Sequence, residues 1–122
     1  MAQSRIERFG PVALTTTLTT NILNPAAAGS GTGYTPTASY IILRHIRIVN
    51  KTGSAATFSL WLGLTGANTA GTEVIGQGLS VPANLPYDWY GLLRMSSADF
   101  LVGGAGTATA LTFEAEGEVG LA

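Results

Sequence analysis

Cysteine is absent from this chain, and charged residues are scarce. The missing thiols exclude a disulfide framework and thiolate metal sites, and they leave the redox compartment undetermined. Charged residues make up 11% of the sequence, against roughly 25% in ordinary soluble domains. The formal net charge of -1 does little to keep copies of a protein apart in solution. The composition therefore favours a packed assembly over a free monomer.

Basic clusters and long apolar runs are also missing. Without a basic stripe the folded body has no complement to a phosphate backbone, so we expect no nucleic-acid partner. Residues 1–10 are polar and charged where a secretory signal has an apolar core, and the longest aliphatic run nearby is YIIL at 40–43. We therefore expect neither export nor membrane insertion. The protein is expected to be made and kept in the cytoplasm until assembly or lysis.

The apolar residues recur at every second position and almost never at helical spacing, which is typical of half-buried strands. The clearest case sets apolar residues against acidic ones: Leu111, Phe113 and Val119 against Glu114, Glu116 and Glu118. About seven or eight such strands predict an all-β fold, an antiparallel β-sandwich. The jelly-roll type is favoured, and a flattened barrel is the alternative.

The length of 122 residues is that of one ordinary domain with its own core. Residues 11–122 are predicted to form this domain. Glycines and prolines at 24–37 predict a long loop within it.

Residues 1–10 are predicted to form an N-terminal arm. Arg5, Glu7 and Arg8 place three charges before the first predicted strand, beside the aromatic Phe9. Such a segment can become ordered when it binds a neighbouring subunit. Arg5, Arg8 and Phe9 are therefore the candidate contact residues of the arm.

The middle of the chain predicts a central strand from about Ser39 to Asn50. Strict alternation separates its apolar residues into two sets, Tyr40, Ile42, Ile46 and Ile48 on one face and Ile41, Leu43 and Val49 on the other. The turn NKTGSA then predicts a hairpin with the strand ATFSLWLGL.

The segment VPANLPYDWYG, residues 81–91, concentrates proline and aromatic residues. Proline cannot donate a ladder hydrogen bond, so the part between Pro82 and Pro86 should lie at a sheet edge or cross between sheets. Tyr87, Trp89 and Tyr90 form either a subunit interface or core contact, or a platform for sugar rings. The interface or core is favoured because Trp89 alternates in phase with Tyr87. Asp88 is expected to bond loop backbone or to pair with an arginine.

No catalytic, cofactor-binding or metal-binding constellation emerges from the sequence. His45 is the single histidine, and zinc usually needs three or four protein ligands while a catalytic base needs an orienting partner and a nucleophile. Glu114, Glu116 and Glu118 project in parallel from one strand, whereas glycoside cleavage needs two carboxyl groups that flank the bond. We therefore expect a structural or interface histidine, a solvated acidic face, and no enzyme.

Three segments resemble small β-sandwich virion proteins of tailed bacteriophages, particularly capsid decoration (cement) proteins. They are HIRIVNKTGSAATFSLWLGL, VPANLPYDWYG and SADFLVGGAGTATALTFEAEGEV. The resemblance implies a non-enzymatic protein on the outer capsid surface, a homo-oligomer with the trimer favoured, that binds the major capsid protein and stabilises the shell. It assigns no functional residue. The alternatives are a tail, neck or fibre component, and a carbohydrate-binding module that uses Trp89 with Tyr87 or Tyr90.

Overall fold

Eight β-strands make up the regular structure of the residues that can be described. The computed structural model describes residues 3–25 and 38–121, and its strands are β1 (Gln3–Ala13), β2 (Asn21–Leu23), β3 (Ala38–Asn50), β4 (Ala56–Gly63), β5 (Leu79–Val81), β6 (Pro86–Ser96), β7 (Phe100–Ala105) and β8 (Leu111–Leu121). Within those two ranges, no helix has the length and apolar character needed to cross a membrane. The all-β prediction is confirmed.

The strands form two four-stranded antiparallel sheets. The front sheet has the order β1-β8-β3-β6, and the back sheet has the order β2-β7-β4-β5. Both sheets contribute fully or almost fully buried side chains to one core, such as Ile46 and Phe113 from the front and Phe58 and Leu60 from the back. The predicted antiparallel sandwich is therefore confirmed, while its jelly-roll type stays a prediction.

Strand β8 shows why the alternating pattern builds this core. Leu111, Phe113 and Val119 are fully buried, and the glutamates between them are partly or fully exposed. Burying one such side chain stabilises a fold by about 1.5–3 kcal/mol. This term fixes which face of β8 points inward.

The N-terminal segment belongs to the sandwich. Residues 3–13 form β1, which pairs with β8 at the edge of the front sheet, and Phe9 is fully buried in the core. The prediction of a separate arm is wrong for residues 3–10, because this segment pairs with β8 along one side and the core contains the Phe9 ring. Most of the predicted loop at 24–37 lies outside the described residues, which include only Asn24 and Pro25 of it.

Strand β3 confirms the predicted strand but not its faces. The buried side chains are Ile41, Leu43, Ile46 and Ile48, so the inward-facing side switches parity within the strand. The register shifts between Leu43 and His45 in the pairing with both neighbouring strands. Relative to β8, β3 has one extra residue there, Arg44, and such a bulge turns the following residues to the opposite face. Relative to β6 the extra residue lies on β6, where Gly91 and Leu92 lie opposite Arg44.

The chain crosses between the sheets at both places where turns were predicted. The expected hairpin of β3 with β4 is wrong, because β6 and β8 occupy both edges of β3 and β4 lies in the back sheet. The buried Asn50 amide holds this crossing, donating to the carbonyl oxygens of Ser54 at 2.8 Å and Val81 at 3.0 Å. Of the two alternatives for the segment between Pro82 and Pro86, a sheet edge or a crossing, the structure has the crossing, which joins edge strands β5 and β6.

Candidate functional site

Most of the described charge lies on the outer face of the front sheet, which we call the front face. Its charged side chains come from all four strands: Arg8, Arg44, Arg47, Asp88, Arg94, Glu114, Glu116 and Glu118. The chain has few charges to distribute, so their collection on one face is the main functional clue in the fold.

Strand register sets the order of charges across this face. Arg47 of β3 lies opposite Glu114 of β8 on one side and Asp88 of β6 on the other. One step along, His45 lies opposite Glu116 and Tyr90. Directly opposed side chains in an antiparallel sheet are close enough to interact, so each row forms a cross-strand ladder.

Asp88 is the best-connected carboxylate on the front face. Arg47 donates to it from Nε at 2.8 Å and from a terminal nitrogen at 3.3 Å. His45 Nε2 lies 2.7 Å from Asp88 Oδ1, the oxygen that also accepts from Arg47 Nε. The hydrogen bond from Arg47, and next that from His45, hold the pKa of Asp88 below its ordinary value. Asp88 thus remains a carboxylate that fastens β6 to β3.

His45 is positioned by its neighbours on both sides. Its ring stacks on Tyr90 with the centroids 4.6 Å apart, and its Nδ1 atom lies 3.7 Å from Glu116 Oε1. Both ring nitrogens therefore face carboxylates of adjacent strands. His45 therefore connects β3 to both β6 and β8 through side-chain contacts.

A second cluster surrounds Glu118. The Tyr40 hydroxyl donates to Glu118 Oε2 at 2.9 Å, and Arg44 donates to Oε1 at 3.3 Å. The hydrogen bond to Glu118 raises the pKa of Tyr40 above its ordinary value. The Arg94 guanidinium carbon lies 5.3 Å from the centre of the Tyr40 ring, within the range of a cation–π contact. Glu118, part of the solvated acidic face predicted from the sequence, thus contacts an arginine of the same chain.

An open depression of about 290 Å³ lies between β1, β8 and β3. Its lining residues include side chains of both charge signs, together with one alanine: Arg8, His45, Arg47, Glu114, Ala115 and Glu116. The two glutamates project side by side from β8, so they do not flank a bound group in the way that glycoside cleavage requires. The depression can accept a polar side chain or small group that both donates and accepts hydrogen bonds.

The three candidate arm residues have different positions in the structure. Phe9 is fully buried and therefore cannot contact a shell, which corrects that prediction. Arg8 is exposed and lines the depression. Arg5 lies on β1 opposite Val119, and its side chain is outside the described part of the structure.

The aromatic residues of β6 do not share one face. Tyr87 and Trp89 are half-buried against the core, and the Tyr87 ring meets Phe58 edge-on with the centroids 5.3 Å apart. Tyr90 points the other way and is 70% exposed. A sugar platform made of Trp89 together with Tyr90 is therefore incompatible with the alternation of this strand. The preference for core contact is supported for Tyr87 and Trp89.

Sequence reasoning expected an arginine partner for Asp88 but did not find the full network. Arg47 and His45 lie 41 and 43 positions away from Asp88 in sequence. Their opposite charges indicate a pair only when the register is known, and the bulge in β3 shifts that register. No pattern within β3 or β6 alone locates the contact.

Within residues 3–25 and 38–121, no group of three or more metal-ligating side chains is arranged to hold an ion. No protein-family model matches the sequence, and no curated protein is significantly similar to it.

Proposed function

We propose that this chain is a non-enzymatic structural protein of a virion, a capsid decoration protein of the tailed-phage type. It would be made in the host cytoplasm and would bind the major capsid protein on the outside of the shell as a homo-oligomer. The three segments that resemble such proteins support this proposal, and so does the two-sheet antiparallel fold that the resemblance implies.

The observation that carries the proposal is the open edge of the front sheet at β6. Strand β6 runs over Pro86–Ser96, and within residues 3–25 and 38–121 it pairs on one side only, with β3. Tyr90 and Leu92 are 70% and 76% exposed on it, on a molecule with few charges. Long apolar edges are aggregation hazards for a free protein. Assembly contacts that cover such an edge remove the hazard.

The jelly-roll type belongs to the same proposal. The front sheet takes strands 1, 3, 6 and 8, and the back sheet takes strands 2, 4, 5 and 7. The chain thus changes sheet at nearly every connection, and the first and last strands are neighbours. Two interleaved Greek keys produce such an order, and the jelly rolls of viral capsid proteins are built from them.

The mechanism of stabilisation would be added contact area. Each copy would bridge shell subunits, and every Å² of apolar surface removed from water contributes about 25 cal/mol. Because the copies bind the assembled shell and not its separated subunits, they shift the equilibrium towards the assembled state.

The test uses capsids of the virus whose genome encodes this chain. These capsids are assembled in the absence of the protein. The purified protein should co-sediment with these capsids at a saturable, symmetric stoichiometry. It should also raise the temperature at which they release DNA. Failure to bind capsids, or binding with no change in that temperature, would overturn the proposal.

The two alternatives give different results in matched experiments. A tail, neck or fibre component would be labelled by antibody at the tail of the complete virion and not over the head. A carbohydrate-binding module would bind immobilised glycans, and Tyr90→Ala, which removes the exposed ring of β6, would abolish that binding without altering the melting temperature. The solution mass distinguishes the trimer that the resemblance implies from a pair of copies.

A further inference from the structure

We propose that two copies of this chain pair through β6, antiparallel and centred on Gly91, so that their front sheets become one continuous sheet. This pairing goes beyond the proposed decoration role: it assigns the open β6 edge to a second copy, and it gives a pair of chains where the resemblance implies a trimer. It assigns a function to a strand edge whose composition is self-complementary.

The backbone of β6 is available for pairing. The strand is the outermost one of the front sheet, and its ladder partners are all in β3. In the described part of the chain, no strand pairs with its other side. Every second residue of an edge strand directs its N–H and C=O groups outward, which offers a template for another strand.

The middle of β6 lacks two of the usual protections of an edge, charge and proline. Its irregularity lies on the side of β3, where Gly91 and Leu92 oppose the single residue Arg44. Natural sheet edges are commonly blunted by charges or proline. Here the five central residues, Trp89 to Leu93, carry no charge, and Pro86 stands at the end of the strand. Tyr90 and Leu92 on the front face are among the most exposed large apolar residues described. A second copy that covers them removes apolar surface from water.

The sequence of β6 is complementary to itself about Gly91. Antiparallel pairing centred there places Asp88 opposite Arg94 of the second copy and Tyr90 opposite Leu92 of the second copy. Each pair occurs twice by symmetry, as a two-fold interface requires. Opposite charges and aromatic–aliphatic pairs directly across an antiparallel ladder are favourable.

Other registers lose this complementarity. Centring the pair on Tyr90 would place Asp88 opposite Leu92, and centring it on Leu92 would place Tyr90 opposite Arg94. A shift by an odd number of residues would oppose side chains from different faces of the sheet. The register about Gly91 is therefore selected by charge and by burial together.

The rows of the front face extend across the proposed junction. Within one copy, register places Glu114, Arg47 and Asp88 in a row from β8 to β6. The second copy continues this row with its Arg94, so negative and positive groups alternate over four strands. The continued row leaves no pair of like charges side by side.

The first test substitutes one exposed residue on β6. Leu92→Lys places a charge in the centre of the proposed junction, and Leu64→Lys is its matched control, since Leu64 is 70% exposed and lies outside β6. Light scattering coupled to size exclusion should give a mass of two chains for the natural protein and for Leu64→Lys, and of one chain for Leu92→Lys. Far-ultraviolet circular dichroism should be the same for all three.

Several outcomes would overturn the proposal. They are a natural protein that stays monomeric at millimolar concentration, one that forms a trimer, and a Leu92→Lys variant that still pairs while folded. A Leu64→Lys variant that separates the copies equally well would also do so. Capsid binding is a separate readout, so failure of this pairing and failure of the decoration role are distinguishable.

The second test measures the register. The chain has no cysteine, so an introduced one has a single partner. Tyr90→Cys mixed with Leu92→Cys should form a disulfide between chains faster than either variant alone. Faster cross-linking of Leu92→Cys with itself would place the two-fold axis at residue 92 and contradict the register about Gly91.

Discussion

Asp88 shows how much one side chain does on the front face. It accepts hydrogen bonds from Arg47 and lies within hydrogen-bond distance of His45, both on β3. Since β6 has a partner strand on one side only among the residues that the structure describes, the side-chain network supplements its ladder. We expect its contribution to depend on pH.

Replacing Asp88 by Asn should destabilise the protein by about 1 kcal/mol at pH 7, because the ion pair is partly exposed. The pKa of Asp88 is lowered in the folded state, so its contribution is present above the unfolded value of about 3.9 and is lost as the pH falls through the folded value. Denaturant unfolding at pH 7 and near pH 2 should show the difference between Asp88→Asn and the natural protein shrinking in acid.

Glu114→Gln is the control for this experiment. It removes a carboxylate from the same face, and no described hydrogen bond involves the Glu114 side chain. It should change stability by less than Asp88→Asn at pH 7. Equal effects of the two variants would mean that general charge, and not the Arg47 and His45 contacts, accounts for the stabilisation.

At Gly103 the neighbouring strand leaves no space for a side chain. Its φ is +157°, and a Cβ atom there would lie only 2.0 Å from the carbonyl oxygen of Ser59 on β4. The backbones of β7 and β4 would have to separate to accommodate it. We therefore expect Gly103→Ala to destabilise the protein by about 1–3 kcal/mol or more.

Gly53→Ala is the matched control for this variant, because a Cβ atom at Gly53 meets nothing within 4 Å. Its effect should stay within about 0.5 kcal/mol, as at other open surface positions. Thermal melting of both variants measures the difference. A Gly103→Ala protein as stable as Gly53→Ala would contradict the close approach of β7 to β4.

At the scale of elements, β1 is the strand that sequence reasoning placed wrongly. Its charged residues indicated an arm, yet the strand pairs with β8 from Gln3 to Ala13. Phe9 contributes a ring to the core, while Ile6 of the same strand is 57% exposed. The strand is thus needed for folding.

Phe9→Ala should cost about 3–5 kcal/mol, the usual range for emptying a phenylalanine site in a core. Ile6→Ala, on the exposed side of β1, should cost much less. Urea unfolding of the two variants measures both effects. If Phe9→Ala unfolds at the same urea concentration as the natural protein, β1 is detached in solution, as the arm hypothesis holds.

The other element-scale differences have related causes. In β8 the alternation is uninterrupted, so both its faces were predicted correctly. In β3 the extra residue Arg44 changes the parity, and nothing in its local sequence marks the bulge. For β4, the turn after Asn50 has the composition of a hairpin, but β3 has no free edge to receive it.

At the scale of the whole molecule, folding and pairing should be linked. Only the folded chain presents β6 as an edge strand, so pairing adds stability that grows with protein concentration. The melting temperature of the natural protein should therefore rise with concentration from micromolar to millimolar, while that of Leu92→Lys should not. Differential scanning calorimetry of a dilution series measures this. The same dependence of melting temperature on concentration in both proteins would count against pairing through β6.

The sequence by itself determined the fold class, the inward face of β8, an edge or a crossing between Pro82 and Pro86, and a surface with little charge. These follow from local chemistry, namely period-two burial, the missing N–H of proline, and composition. Tertiary structure decided that β1 joins the sandwich, that the β3 bulge turns its faces, and that Asp88 meets Arg47 and His45. These depend on which strands become neighbours and in what register, and that choice is made by the free energy of the whole packed core.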